Sequence, residues 1–116
     1  MKIDVETNIA AHAKRNEELK RMLRSKGVEF NTNQSIELHF WAFKRQEAVM
    51  LAKALYDEGL IVLALAPLPD DDEGRWNVEA GIKETVEHLT TLAVVRKFAE
   101  LAAQFNAIYD GWGMSL

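Results

Sequence analysis

The chain has no cysteine in its 116 residues. Disulfides, thiolate metal sites and thiol nucleophiles are therefore excluded. Histidine is scarce: His12, His39 and His88 fall on three separate predicted elements, without the spacing of a ligand or catalytic motif. There is no Gly-x-Ser-x-Gly and no Gly-rich loop that would cradle a phosphate before a helix. Acids are plentiful, but no pair is placed by motif for acid–base work. These absences point away from an enzyme, a cofactor and a metal. No apolar run approaches the 18 residues of a membrane span. The opening MKIDVETN lacks the apolar core of a secretory signal, so the expected location is cytoplasmic. Internal repeats and low-complexity segments are absent too.

What is present reads as one domain, long enough to bury ~65% of its unfolded surface. The net charge of −4 is unevenly spread. Residues 1–27 carry seven basic and four acidic side chains, and residues 28–116 carry seven and fourteen. A body of that sign repels phosphates and suits a basic protein partner, although an acidic surface also serves solubility alone.

Residues 7–26 read as a helix, with Ile9, Leu19, Met22 and Leu23 on one face and Gly27 at the C-terminal cap. Lys14, Lys20, Arg21 and Arg24 make its far side a solvated basic face, too diluted by Glu17 and Glu18 for a membrane. His12 and Asn16 interrupt the stripe, so the first half of the helix is expected to dock weakly. Ile36, Leu38 and Phe40 alternate with Glu37, His39 and Trp41, which predicts a half-buried strand with Trp41 on its outer face. A second helix follows over 44–58, burying Ala48, Leu51, Ala52 and Leu55. Leu60 to Ala66 is a continuous apolar run, read as a strand buried on both faces. Its second face needs a cover, and the N-terminal helix or a second subunit is expected to supply it.

Asp70, Asp71, Asp72 and Glu73 form an acidic loop. Their spacing does not match a calcium-binding loop. They are read as a solvated turn or a docking spot for a basic partner, acting through long-range attraction rather than stability. Period-two alternation then runs over 76–87, predicting a long strand. Thr90 or Thr91 caps a third helix over 92–105, Asn106 suits a left-handed C-terminal cap, and a last strand covers 107–112. Leaving the first helix aside, the order is strand, helix, strand, strand, helix, strand. That is the α+β, ferredoxin-like βαββαβ sandwich, with an additional N-terminal helix (1–27) packed on the domain (28–116). Strands one and three are central and the last flanks the first.

The last strand holds the most distinctive stretch. Tyr109-Asp110-Gly111-Trp112-Gly113 follows a helix closing on Leu101, Ala102, Gln104 and Phe105. This combination resembles the close of the ribonuclease E inhibitor family, also called regulator of ribonuclease activity B. The resemblance implies the same α+β plan and a non-catalytic regulator that binds ribonuclease E, or a related nuclease, and slows RNA decay. Two other readings of the same plan stay open: an immunity-type module that neutralises another protein, and an RNA-binding module. The last needs stacked aromatics on a basic sheet, where Glu37, Glu79 and Glu84 would crowd His39 and Trp41.

Expected partner-binding residues are Asp70, Asp71, Asp72, Glu73, Tyr109, Asp110, Trp112 and Trp41, with Gly111 and Gly113 as structural members of the motif. Gly111 is predicted to take positive φ at a bulge. That bulge is expected to aim Tyr109 inward, against Ile36 and Phe40, and Trp112 outward near Trp41. The alternative puts both rings in the core.

Overall fold

Ile36, Leu38, Phe40 and Ala42 occupy alternate positions of the strand Asn33–Ala42 (β1), and all four are buried. Side chains of a strand alternate between faces, so these four commit one face of the sheet to the core. In the computed structural model, which describes residues 3–114, every other element is arranged around that face. An N-terminal helix, Val5–Ser25 (α1), precedes β1. The helix Arg45–Asp57 (α2), the strands Ile61–Pro67 (β2) and Trp76–Thr85 (β3), the short helix Val86–Leu89 (α3), the helix Leu92–Gln104 (α4) and the strand Ala107–Gly113 (β4) follow it.

The sheet is four-stranded and antiparallel, in the order β2-β3-β1-β4, with the helices packed on one face. This is the expected α+β plan. β1 pairs with β3 in continuous register, from Asn33 opposite Thr85 to Ala42 opposite Trp76. The outer limits of the expected segments, residues 1 and 116, lie outside the described residues. The aromatic centre of the core is a trio: Phe40 and Tyr109 have ring centroids 5.2 Å apart, and Phe98 of α4 sits 6.4 and 5.8 Å from them. Tilted and edge-on pairs of this kind add to the burial of the rings themselves. α2 buries Ala48, Leu51, Ala52 and Leu55, the stripe its spacing dictates.

Several local expectations need correction. The apolar run after Gly59 is not buried on both faces. β2 is an edge strand, with Ile61 68% and Leu63 51% exposed. α1 does not cover it; α1 lies against α4 and β4, at the opposite edge of the sheet. Met22 of α1 is exposed rather than part of the buried stripe. The period-two pattern is broken at Val86, because the Thr85 hydroxyl accepts from the His88 backbone N–H and starts α3. Glu84 pairs with Gln34, on the helix side of the sheet, and does not share the face of Glu37 and Glu79. Thr91 caps α4, and Asn106 takes the left-handed conformation with φ 54°.

Candidate functional site

With all helices on one side, the opposite face of the sheet has no helix over it. β1 presents Glu37, His39 and Trp41 there, and β3 presents Asn77, Glu79, Gly81 and Lys83. At one end of this face, where β1 finishes and β3 begins, the Arg75 guanidinium lies over the Trp41 ring, 4.7 Å from the centroid. Trp41 in turn meets Phe43 edge-on at 5.0 Å. Arg75 is held from the other side by Asp71, with Nη2 2.7 Å from Oδ1 and the Arg75 backbone N–H donating to Oδ2 at 2.8 Å. Glu73 stands 3.7 Å from Arg75 Nε. The guanidinium beside it holds the Asp71 carboxyl below the usual carboxylate range. Asp110 adds a further negative field that raises Arg75. His39 Nδ1 lies 3.5 Å from Glu79 Oε1.

Arg75 therefore joins two parts of the chain, Trp41 on β1 and the loop acids Asp71 and Glu73, with Asp110 of β4 acting on it only as a charge. It was not among the expected site residues, although one cation between an acidic run and Trp76 was the available signal. The expectation that all four loop acids serve attraction alone is corrected at Asp71, which fastens the loop to Arg75 and so to Trp41. Asp70, Asp72 and Glu73 remain exposed, as does Asp110. No group of three or more metal-ligating side chains is found among the described residues.

The Tyr109–Gly113 stretch takes the predicted bulge, with Gly111 at φ 120°. Along β1, His39 faces Gly111 while the next residue, Phe40, faces Tyr109, so Asp110 is the extra residue. Two residues three apart normally point to opposite faces. One inserted residue restores them to the same face. Both rings thus enter the core, Tyr109 1% and Trp112 5% exposed, and Trp112 does not turn outward toward Trp41. Burial pushes the Tyr109 phenol well above its ordinary pKa, so it stays protonated.

The bulge is also where α1 attaches. β4 is an edge strand, and two of its carbonyls accept from α1 side chains. His12 Nε2 donates to Tyr109 O at 2.7 Å, Asn8 Nδ2 donates to the same oxygen at 3.2 Å, and Arg15 Nη1 donates to Asp110 O at 2.8 Å. Trp112 Nε1 donates to Asn16 Oδ1 at 2.8 Å. An indole N–H can only donate, so this bond fixes which end of the Asn16 amide is oxygen. The expected weak docking of this half-helix is corrected: His12 and Asn16 are its buried anchors. Their spacing, in phase with Ile9 and Leu23, was the legible sign.

His12 carries a pH dependence. Burial pushes it below the ordinary imidazole value; Arg15 acts in the same direction, while the Tyr109 carbonyl and Asp110 oppose. A folded pKa below the unfolded value of ~6.5 stabilises the docked helix above that pH, and the contribution is lost as pH falls. Amide exchange in α1 should accelerate on going from neutral pH to about pH 5.5, relative to α2, once the intrinsic pH dependence of exchange is removed. His12→Gln should abolish that difference. Equal protection at both pH values in the parent chain would refute the role.

No curated protein matches the chain, and no helix among the described residues is long and apolar enough to cross a membrane. A family model does match, that of regulator of ribonuclease activity B, over residues 13–114. The match begins inside α1 and runs through the bulged last strand, so it takes in the whole sheet, its open face and the Asn16–Trp112 anchor. By its sequence across this span and by its α+β architecture, the chain belongs to the regulator of ribonuclease activity B family.

Proposed function

We propose that the chain is a non-catalytic, cytoplasmic inhibitor that binds a ribonuclease E-type endonuclease through the open sheet face and so slows RNA decay. Family membership supports a regulator of ribonuclease activity. The observation that carries the mode of binding is the distribution of charge on that face. Asp70, Asp72 and Glu73 are exposed in the loop that leads into Arg75, Asp110 is exposed on β4, and the guanidinium over Trp41 is already engaged by Asp71. Such a rim repels RNA phosphates and attracts the basic segments of an RNA-handling protein. Trp41, under the Arg75 guanidinium, supplies the kind of aromatic anchor on which interfaces concentrate their energy. Inhibition then follows from occupancy: a bound acidic face competes with RNA for the same basic segment.

The test is a binding measurement between the chain and purified ribonuclease E, with Asp70→Asn, Asp72→Asn and Glu73→Gln combined and Asp71 left intact. The triple variant should melt within about 0.5 kcal/mol of the parent, because these are exposed positions. Its association should be slower, on the order of tenfold at low ionic strength, with the difference shrinking as salt rises. No binding by the parent chain would remove ribonuclease E as the partner. An unchanged association rate at low salt would remove the acidic rim, and retention of bare RNA by the chain would replace a protein partner with a nucleic acid.

A further inference from the structure

We propose that Trp41, Asp71 and Glu73 form a binding site for an arginine side chain of a partner protein, which Arg75 fills in the free molecule as an internal competitor. The guanidinium already in place shows what the site accepts. Trp41 offers a ring face, its centroid 4.7 Å from the guanidinium carbon. Asp71 takes the edge of the fork, with Arg75 Nη2 2.7 Å from Oδ1 and Nε 3.1 Å from Oδ2. Glu73 lies 3.7 Å from Nε, and Asp110 adds negative charge from β4. A planar cation with a fork of donors matches a ring face and a carboxylate together. A lysine ammonium matches only the charge.

What separates such a site from an ordinary ion pair is that its walls are held by other groups. The Asp71 carboxylate accepts from the Arg75 backbone N–H at 2.8 Å, a bond that every residue except proline would keep at position 75. The Glu73 backbone N–H stabilises the same carboxylate. The loop closes on its own backbone, Gly74 N–H donating to Asp71 O at 3.0 Å and Leu68 N–H to Arg75 O at 2.9 Å. Trp41 sits in the paired part of β1, between Asn77 and Ile108, and Phe43 meets its ring edge-on at 5.0 Å. Removing the Arg75 guanidinium therefore leaves a carboxylate and a ring face beside the same space.

The competitor is also within reach of a partner. The Arg75 side chain is 30% exposed, against 12% for Asp71, so it forms the lid of the site. Its short tether gives it an effective concentration on the order of millimolar or above, which dilute free arginine does not match. An arginine on a segment already drawn in by Asp70, Asp72 and Glu73 is tethered in its turn and competes on equal terms. Arg75 then turns out into water, where its charge stays solvated. The inference rests on the binding of a basic segment at this face, proposed above, and names arginine as the residue read there.

Titration of the full chain with acetyl-arginine amide and acetyl-lysine amide, followed by the Trp41 indole and Asp71 amide NMR signals, tests this. Arg75→Ala should bind the arginine probe with a dissociation constant of about 1–10 mM. That should be about tenfold tighter than its binding of the lysine probe, or than the parent's binding of either. Adding Asp71→Asn or Trp41→Leu should abolish it. Arg75→Gln repeats the test with a longer stem. A folded Arg75→Ala or Arg75→Gln chain that binds neither probe, or both equally, overturns the proposal. So does loss of the fold in both variants, because the walls would then depend on the guanidinium. Toward purified ribonuclease E, Arg75→Ala should bind about 3–10-fold more tightly than Lys83→Gln, which removes the same charge from the same face and leaves the site closed. A weaker Arg75→Ala complex would make Arg75 a positioning residue and overturn its role as competitor. Arginine binding by the variant, with no nuclease binding by any form, would uphold the site and remove the nuclease as its partner.

Discussion

Trp112→Ala should destabilise the chain by about 3–5 kcal/mol, the cost of emptying a large buried ring site that the surroundings cannot refill. Domains of this size hold about 5–15 kcal/mol in all, so the variant should sit close to unfolding at physiological temperature. Two terms combine. The ring is 5% exposed and belongs to the main core. Its indole N–H also satisfies Asn16 Oδ1, and among the described residues no protein group accepts from the buried Nδ2 of that amide. Trp112→Phe separates the terms. It keeps much of the ring volume and loses the hydrogen bond, at about 1–3 kcal/mol for the orphaned oxygen. Combined with Asn16→Leu, the Phe variant should cost less than the sum of the two single changes, because the same bond is lost twice in the count. Urea denaturation of the four variants, Asn16→Leu alone included, measures these costs. A Trp112→Ala protein as stable as the parent yet unable to bind a nuclease would reinstate this ring as a contact anchor.

Gly111→Val should cost about 2–3 kcal/mol, and roughly 10 °C or more in melting temperature. The φ of 120° is backbone space that an L side chain rarely enters, and a β-branched one least. A Cβ at this position would stand 3.1 Å from Arg15 Nη1, the guanidinium that holds the Asp110 carbonyl. The two contributions are separable because Arg15 is the flexible end of an exposed side chain. Arg15→Ala removes the contact and leaves the backbone strain, so the double variant should recover only a small part of the loss. Gly111→Ala within about 0.5 kcal/mol of the parent, well inside the range of neutral surface changes, would show that the strained φ relaxes at little cost.

Much of the architecture could be read from residue spacing. The alternation of Ile36, Leu38 and Phe40 identified β1 and its buried face, and the spacing of Ala48, Leu51, Ala52 and Leu55 identified α2. Where reading failed, a one-residue feature had changed the parity or partner of an element. Leu60 to Ala66 has no period to show which face is wet, and its place at the sheet edge is a tertiary fact. The bulge was predicted correctly, but its consequence was counted the wrong way, and Trp112 was assigned to the wrong face. Polar residues within an apolar stripe look like defects until the opposing surface is known. His12 and Asn16 face a strand edge that offers carbonyls and an indole N–H, and a hydrocarbon stripe would leave those groups unsatisfied. On the open face, Trp41 and the acidic loop were found from sequence, whereas Arg75 became visible only once β3 had brought it to them.

The anchorage of α1 on β4 also imposes an order on biosynthesis. The His12–Tyr109 bond spans 97 positions of the chain. At cellular elongation rates, roughly 5–20 s pass between the appearance of the donor and that of its acceptor. Throughout that interval the basic helix has left the ribosome without the strand that receives it. Its Asn8, His12 and Asn16 amides and imidazole are answered only by water, and Ile9 and Leu23 await their cover. Among the described elements, α1 is thus made before the others and is secured only when β4 arrives.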